Sequence, residues 1–225
     1  MKSFKEYLTP SIFMIAFLIV GSLYPLFNSD SRGVYSLVTE FDTALPFMKE
    51  FIIPYIAWYP FMAFGLLYFC IKDKDIYYKI LISLIIGTLI SYATFFVFQT
   101  HVPRPELTGS DLFTKLVSII YANDKPYNCF PSLHVLQTYL IIKGIKVSTL
   151  KNKLNDFVIT STGTLIILST QFIKQHVILD LVVSVILGEV LFRLVCKLDL
   201  EKTSDNIKAF LFPAFENEKN HEDVI

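Results

Sequence analysis

Six long apolar runs, residues 8–27, 51–71, 76–98, 133–150, 157–173 and 177–196, narrow what this chain can become more than any other feature. A helix rises about 1.5 Å per residue, so roughly twenty residues cross the hydrocarbon of a bilayer. The first three runs and the last have that length. Lys143 and Lys146 interrupt the fourth near its end, where their stems can reach the interface. The fifth is short and carries Ser and Thr, which suits a helix packed inside a bundle rather than one facing lipid. With 53% hydrophobic and 18% charged residues, the chain is too apolar for an ordinary soluble domain. The expectation is an all-α integral membrane protein, with six transmembrane helices in one bundle over residues 1–197 and a charged cytoplasmic tail over 198–225.

The breaks between runs set the topology. Short polar breaks fall at residues 72–75 and 151–155, and long ones at 28–50 and 99–132. An inside N-terminus places Lys2, Lys5, Lys72, Lys74, Lys151, Lys153, Arg193 and Lys197 in the cytoplasm. It leaves Arg32, Lys49, Arg104, Lys115, Lys125 and Lys174 outside. Excess Lys and Arg marks the cytoplasmic side, so both termini are expected inside, in the plasma membrane. No small-residue cleavage site follows the first run, which reads as an uncleaved span. Within the third loop, Asp111 is an N-cap for a helix over 111–122, whose apolar stripe (Leu112, Leu116, Ile119, Ile120) suits a membrane surface. Cys70, Cys129 and Cys196 are far apart and fit neither a paired zinc spacing nor a disulfide framework; they read as spectator thiols. A formal net charge of zero gives no pointer to nucleic acid.

Chemistry gathers on the outer face, where His101, His134 and His176 all fall, while His221 lies in the tail. His176 and Asp180 are four apart, so on a helix the carboxylate can bond one imidazole nitrogen and leave the other as nucleophile or base. Arg104 stands between Pro103 and Pro105 in stiff, extended backbone, and its guanidinium suits bidentate phosphate binding. Ser132 is an N-cap for the fourth run, whose free N–H groups favour an anion, and His134 lies in its first turn. Together these describe a phosphate-transfer site.

Three segments carry a resemblance: Pro103-Arg104-Pro105; Pro131-Ser132-Leu133-His134; and Ser169-Thr170, five residues, His176, three residues, Asp180. Their order and spacing resemble the signature of the type 2 phosphatidic acid phosphatases, including the branch of inositol-phosphorylceramide and sphingomyelin synthases. The resemblance implies that His176 attacks phosphorus to form a phosphohistidine, Asp180 orients it, and His134 protonates the leaving alcohol. It implies that Arg104, Ser132 and the segment around Ser169 hold the phosphate oxygens, with no cofactor and no metal. Two positions depart from the signature. Val97 stands where the family has Lys, and Thr170 where it has Arg. Lys174, one turn from Thr170, would restore one charge, and His101 another donor. Fewer fixed cations favour a monoester or diester over a diphosphate.

The expected function is therefore a lipid phosphatase or phosphotransferase with an extracytoplasmic site. Its partners are a lipid phosphate and water or an alcohol acceptor, with no nucleic acid. Three other readings use the same residues. A zinc site of His101, His134, His176 and Asp180 has suitable ligand types but leaves Arg104 unexplained. A transport or lipid-binding protein would only bind the anion, and no internal repeat points to one. A catalytically retired relative would account for the two lost cations.

Overall fold

The computed structural model describes residues 5–198, and the tail with His221 lies outside them. The chain is mostly helical. In order, the helices are α1 (Lys5–Ser22), α2 (Glu40–Ala44), α3 (Ile52–Ile56), α4 (Trp58–Lys72), α5 (Lys74–Val97), α6 (Leu112–Asn123), α7 (Leu133–Val147), α8 (Lys153–Phe172) and α9 (Ile178–Val195). Among the described residues, two stretches are long and apolar enough to cross a membrane: Lys49–Lys72, which joins a 3-10 turn to α3 and α4, and α5. The other apolar runs coincide with α1, α7, α8 and α9. At 15 residues α7 spans about 22 Å, short of the hydrocarbon thickness.

The helix α7 lies centrally, packed against α5, α8, α9 and α4, while α1 lies along α5. Leu136, Leu140, Ile141 and Ile145 of α7 meet Leu66, Phe69, Ile80, Leu81, Leu84 and Phe192 in the main core. Close approach depends on small residues. A Cβ on Gly144 would come within 2.4 Å of Ile80 Cδ1 and 3.2 Å of Phe69 Cζ, so a larger residue would have to push the end of the Ile80 side chain aside for α7 to sit this near α4 and α5. The outward faces are apolar, with Leu18, Phe64, Phe96, Val97 and Phe157 all exposed. An apolar exterior around a core of the same character suits a lipid surrounding.

Polar side chains tie the helices together at both ends. Tyr77 Oη donates to the Pro10 carbonyl and Tyr92 Oη to that of Val20, both at 3.0 Å, which holds α1 on α5. At the Tyr77 end, Asp73 caps α5 by accepting from Ile76 N–H at 3.2 Å. Its second oxygen accepts from the Ser148 hydroxyl and the Thr149 N–H, which ties the residues just past the end of α7 to the start of α5. These hydrogen bonds outweigh burial and hold the Asp73 carboxyl below its ordinary value.

The two long loops depart from an all-helical expectation. Tyr35–Ser36 (β1) and Thr100–His101 (β2) form a short parallel pair that binds loop one to loop three. In loop one, Thr39 and Asp42 make a reciprocal capping box that starts α2. The helix α6 forms where expected, with Asp111 accepting from Phe113 and Thr114 N–H. Its inward face is Val117, Leu116 and Ile120, docked on Ile52, Tyr55 and Ile173. Leu112 and Ile119 of the expected stripe point outward.

Candidate active site at the head of the last helix

The corner between α8 and α9 is a Schellman turn. Lys174 N–H donates to the Gln171 carbonyl (3.1 Å) and Gln175 N–H to that of Thr170 (2.9 Å), with Lys174 in the left-handed region at φ 52°. The same Thr170 carbonyl accepts His176 N–H at 3.1 Å, which fixes the histidine backbone at the exit of the turn. One turn on, Asp180 Oδ2 accepts from Val177 N–H at 3.0 Å and lies 3.2 Å from His176 Nδ1. One carboxylate oxygen thus caps α9 and orients the imidazole, leaving Nε2 free of that contact. Asp180 is fully buried, and its Oδ1 has no hydrogen-bond partner.

His176 and Arg104 line one cleft of about 330 Å³, together with Lys174, Gln171, Asp42 and the apolar residues Val38, Phe47, Val102 and Val177. Arg104 reaches it from loop three, with its guanidinium 4.2 Å over the Tyr121 ring. Nη1 donates to the carbonyls of Asp124 (2.8 Å) and Tyr121 (3.3 Å), at the C-terminal end of α6, where the helix dipole favours a cation. Nη2 donates to Gln175 Oε1. That contact sets the amide orientation and leaves Gln175 Nε2 a buried donor without a partner, as is Arg104 Nε. The Asp124 side chain, beneath this group, accepts from Tyr24 and Asn28. Burial pushes its carboxyl above the ordinary range, against the pull of Tyr24, Arg104 and His176.

No protein-family model, characterised protein or solved structure matches the chain.

The other residues singled out in the sequence divide into two groups. His134 stands near the pair, its ring centroid 6.3 Å from that of His176, stacked on Tyr55 at 4.7 Å and tilted against Trp58 at 4.4 Å. Its Nε2 is buried without a partner. Ser132 caps α7 as expected, accepting from Val135 N–H at 3.3 Å. Lys174 lines the cleft, but its Nζ donates to the carbonyls of Asp42 (2.9 Å) and Leu45 (2.7 Å), so it fastens α2 over the corner. Burial lowers its ammonium below the ordinary lysine value, with Asp42 opposing.

Three expectations need correction. The Ser169 and Thr170 hydroxyls donate to the Ile166 and Ile167 carbonyls of their own helix, because a helical hydroxyl finds that acceptor within reach. What Thr170 gives the site is its backbone carbonyl. His101 sits in the β1–β2 pair, its Nδ1 3.3 Å from the Tyr35 carbonyl, and does not line the cleft.

Sequence reasoning missed Gln175, Gln171, Asp42, Tyr121 and Asp124. For Asp42 a signal existed, since Thr-x-x-Asp reads as a capping box. Its Oδ1 then accepts Ile178 N–H at 2.7 Å, so loop one caps the head of α9. Gln175 adjoins His176 in sequence, but nothing local shows that it meets an arginine 71 residues away. Among the described residues, Cys129, His176 and Asp180 bring potential metal-ligand atoms within 4.8 Å of one another, a different set from the four-residue zinc group that the sequence suggests.

Proposed function

We propose that this chain is a six-span membrane enzyme of the type 2 phosphatidic acid phosphatase kind, with its site at the outer face. It transfers a phosphoryl or phospho-head group from a lipid to water or another alcohol through His176. The observation that carries the reading is that His176, backed by the buried Asp180, lines a cleft shared with Arg104. Further support comes from Arg104 Nε, a buried donor without a partner in the residue that lines the cleft, since such a donor is costly unless something accepts from it. A phosphate oxygen would.

The steps follow from the residues. His176 Nε2 attacks phosphorus while Asp180 stabilises the charge growing on the ring through Nδ1. The phosphorus–oxygen bond to the lipid breaks, and the leaving oxygen takes a proton from His134. Arg104, held in place by Gln175, neutralises the non-bridging oxygens as charge accumulates on them. In the second half, water or an acceptor alcohol gives its proton to His134 and attacks the phosphohistidine, which frees His176. Hydrolysis and transfer differ only in which hydroxyl enters. The apolar cleft wall of Val38, Phe47 and Val102 offers contact to a lipid rather than to a sugar phosphate.

The test uses purified protein in lipid with a panel of lipid phosphomonoesters, diphosphates and phosphodiesters, each with and without diacylglycerol. Released phosphate and new lipid products are followed for wild type and His176→Ala, with ³²P trapping of the intermediate. Phosphate release and acid-labile protein label, both lost in the variant, support a phosphatase. A new phospholipid formed only with acceptor supports a transferase. An inert wild type, or a variant as active as wild type, overturns the reading.

A further inference from the structure

The thiol of Cys129 plays no part in the steps above, yet it lies against the pair that does. Its sulfur, one imidazole nitrogen of His176 and a carboxylate oxygen of Asp180 are mutually within 4.8 Å, and all three residues are buried. They come from separate parts of the chain: the end of loop three, the α8–α9 corner and the first turn of α9. We propose that Cys129, His176 and Asp180 form an inhibitory site for a borderline-soft divalent cation of the Zn²⁺ class. The inhibitory consequence rests on the function proposed above, whereas the binding does not.

Four observations carry the site. First, sulfur, nitrogen and oxygen are the donors Zn²⁺ accepts, at about 2.3, 2.0 and 2.1 Å. Tetrahedral angles would then set the donors about 3.5 Å apart, a closure of about 1.3 Å at most from the 4.8 Å within which they lie. Second, Asp180 Oδ1 is a fully buried carboxylate oxygen with no hydrogen-bond partner. Buried acceptors of that kind are rarely left empty, and a cation would satisfy it. Third, Cys129 Sγ makes only weak contacts, 3.5 Å to the Pro126 carbonyl and one from the Val102 N–H, so little is lost when the sulfur turns to a metal. Fourth, the surround is apolar. Val102 and Val177 enclose Cys129, with Leu37 and Val38 packed outside them. Apolar neighbours of that sort limit solvent access to the sulfur from their side.

The same donors exclude other ions. Mg²⁺ and Ca²⁺ require oxygen ligands and several of them, which a single carboxylate does not supply. On binding, the S–H bond breaks, a sulfur–metal bond forms and the proton passes to solvent. Either imidazole nitrogen serves the inhibition. Coordination through Nε2 occupies the attacking atom, and coordination through Nδ1 displaces the Asp180 contact that fixes the tautomer. A trace of bound Zn²⁺ therefore lowers turnover, and a chelator raises it.

The experiment uses full-length protein in detergent, in a Cys70→Ala/Cys196→Ala background that leaves Cys129 as the sole thiol. Cd²⁺ titration is followed by the ultraviolet thiolate-to-metal absorption, and Co²⁺ titration by its visible bands. The expected result is one equivalent bound with thiolate absorption. Cys129→Ala loses that absorption, and His176→Ala, with the thiol intact, weakens affinity at least tenfold. Far-ultraviolet circular dichroism confirms that each variant is helical. Where turnover is measurable, Zn²⁺ inhibits wild type, and Cys129→Ala raises the half-inhibitory concentration at least tenfold. Absence of thiolate absorption in the parent, or affinity unchanged in His176→Ala, overturns the site. Binding as expected with no turnover on any substrate overturns the proposed function and leaves the cation site standing.

Discussion

Asp180 holds two donors with a single oxygen, the His176 imidazole and the Val177 N–H. That sharing makes the position sensitive to the loss of one charge. Asp180→Asn keeps the size and can still cap α9, but its amide cannot stabilise an imidazolium. Turnover should fall by about 10²–10⁴-fold, the range for losing acid–base assistance, while the melting temperature of the folded protein moves little. Equal losses in turnover and in thermal stability would instead assign Asp180 a structural role. Gln175 acts one step further back, through Arg104. Gln175→Ala removes an acceptor from a charged donor, worth about 1.5 kcal/mol or more, so kcat/KM should drop about tenfold. Because the glutamine works through the arginine, the double variant with Arg104→Ala should be no worse than Arg104→Ala alone. Additive losses would remove Gln175 from that chain of contact.

At the scale of elements, the α8–α9 corner is where competing energies can be weighed. Lys174 holds a left-handed conformation that costs a non-glycine residue roughly 1–2 kcal/mol. Against this stand two hydrogen bonds from its ammonium to the Asp42 and Leu45 carbonyls, worth about 1.5–3 kcal/mol each before solvent screening and the lowered basicity of the amine reduce them. The contacts win by a narrow margin. Lys174→Gly should therefore lower stability by about 1 kcal/mol, read as a small fall in melting temperature, and should increase hydrogen exchange across α2. A rise in melting temperature would show that backbone strain dominates and that the clasp contributes nothing. The same clasp, with Asp42 at the head of α9, shapes the wall of the cleft.

For the molecule as a whole, the proposal of six spans fixes which loops meet which side of the membrane. Thr108, in loop three, and Lys151, between α7 and α8, are both exposed. In a cysteine-free background, Thr108→Cys in intact cells should react with a membrane-impermeant maleimide. Lys151→Cys should react only after permeabilisation. The reverse pattern would turn the site toward the cytoplasm, and labelling of both from one side would overturn the six-span arrangement. The Asp73 latch with Ser148 and Thr149 on one side, and the β1–β2 pair on the other, would then mark opposite faces.

What the sequence determined by itself was local. Helix positions follow from the length and spacing of apolar runs, and the α6 and α7 starts from Asp111 and Ser132; the four-residue spacing does pair His176 with Asp180, but across the helix start rather than on one helical face, since His176 precedes the Val177 cap. Each depends on residues near in the chain, where covalent geometry already restricts the outcome. The tertiary structure alone decided how distant side chains meet. It turned the Ser169 and Thr170 hydroxyls onto their own helix, and gave Lys174 to the carbonyls of a short helix in loop one. It placed Gln175 on Arg104 and brought Cys129 beside the histidine. Such contacts form only when loops separated by many residues pack together, and the energies that choose among them are those of burial and unsatisfied polar groups. No spacing rule within one element carries that information.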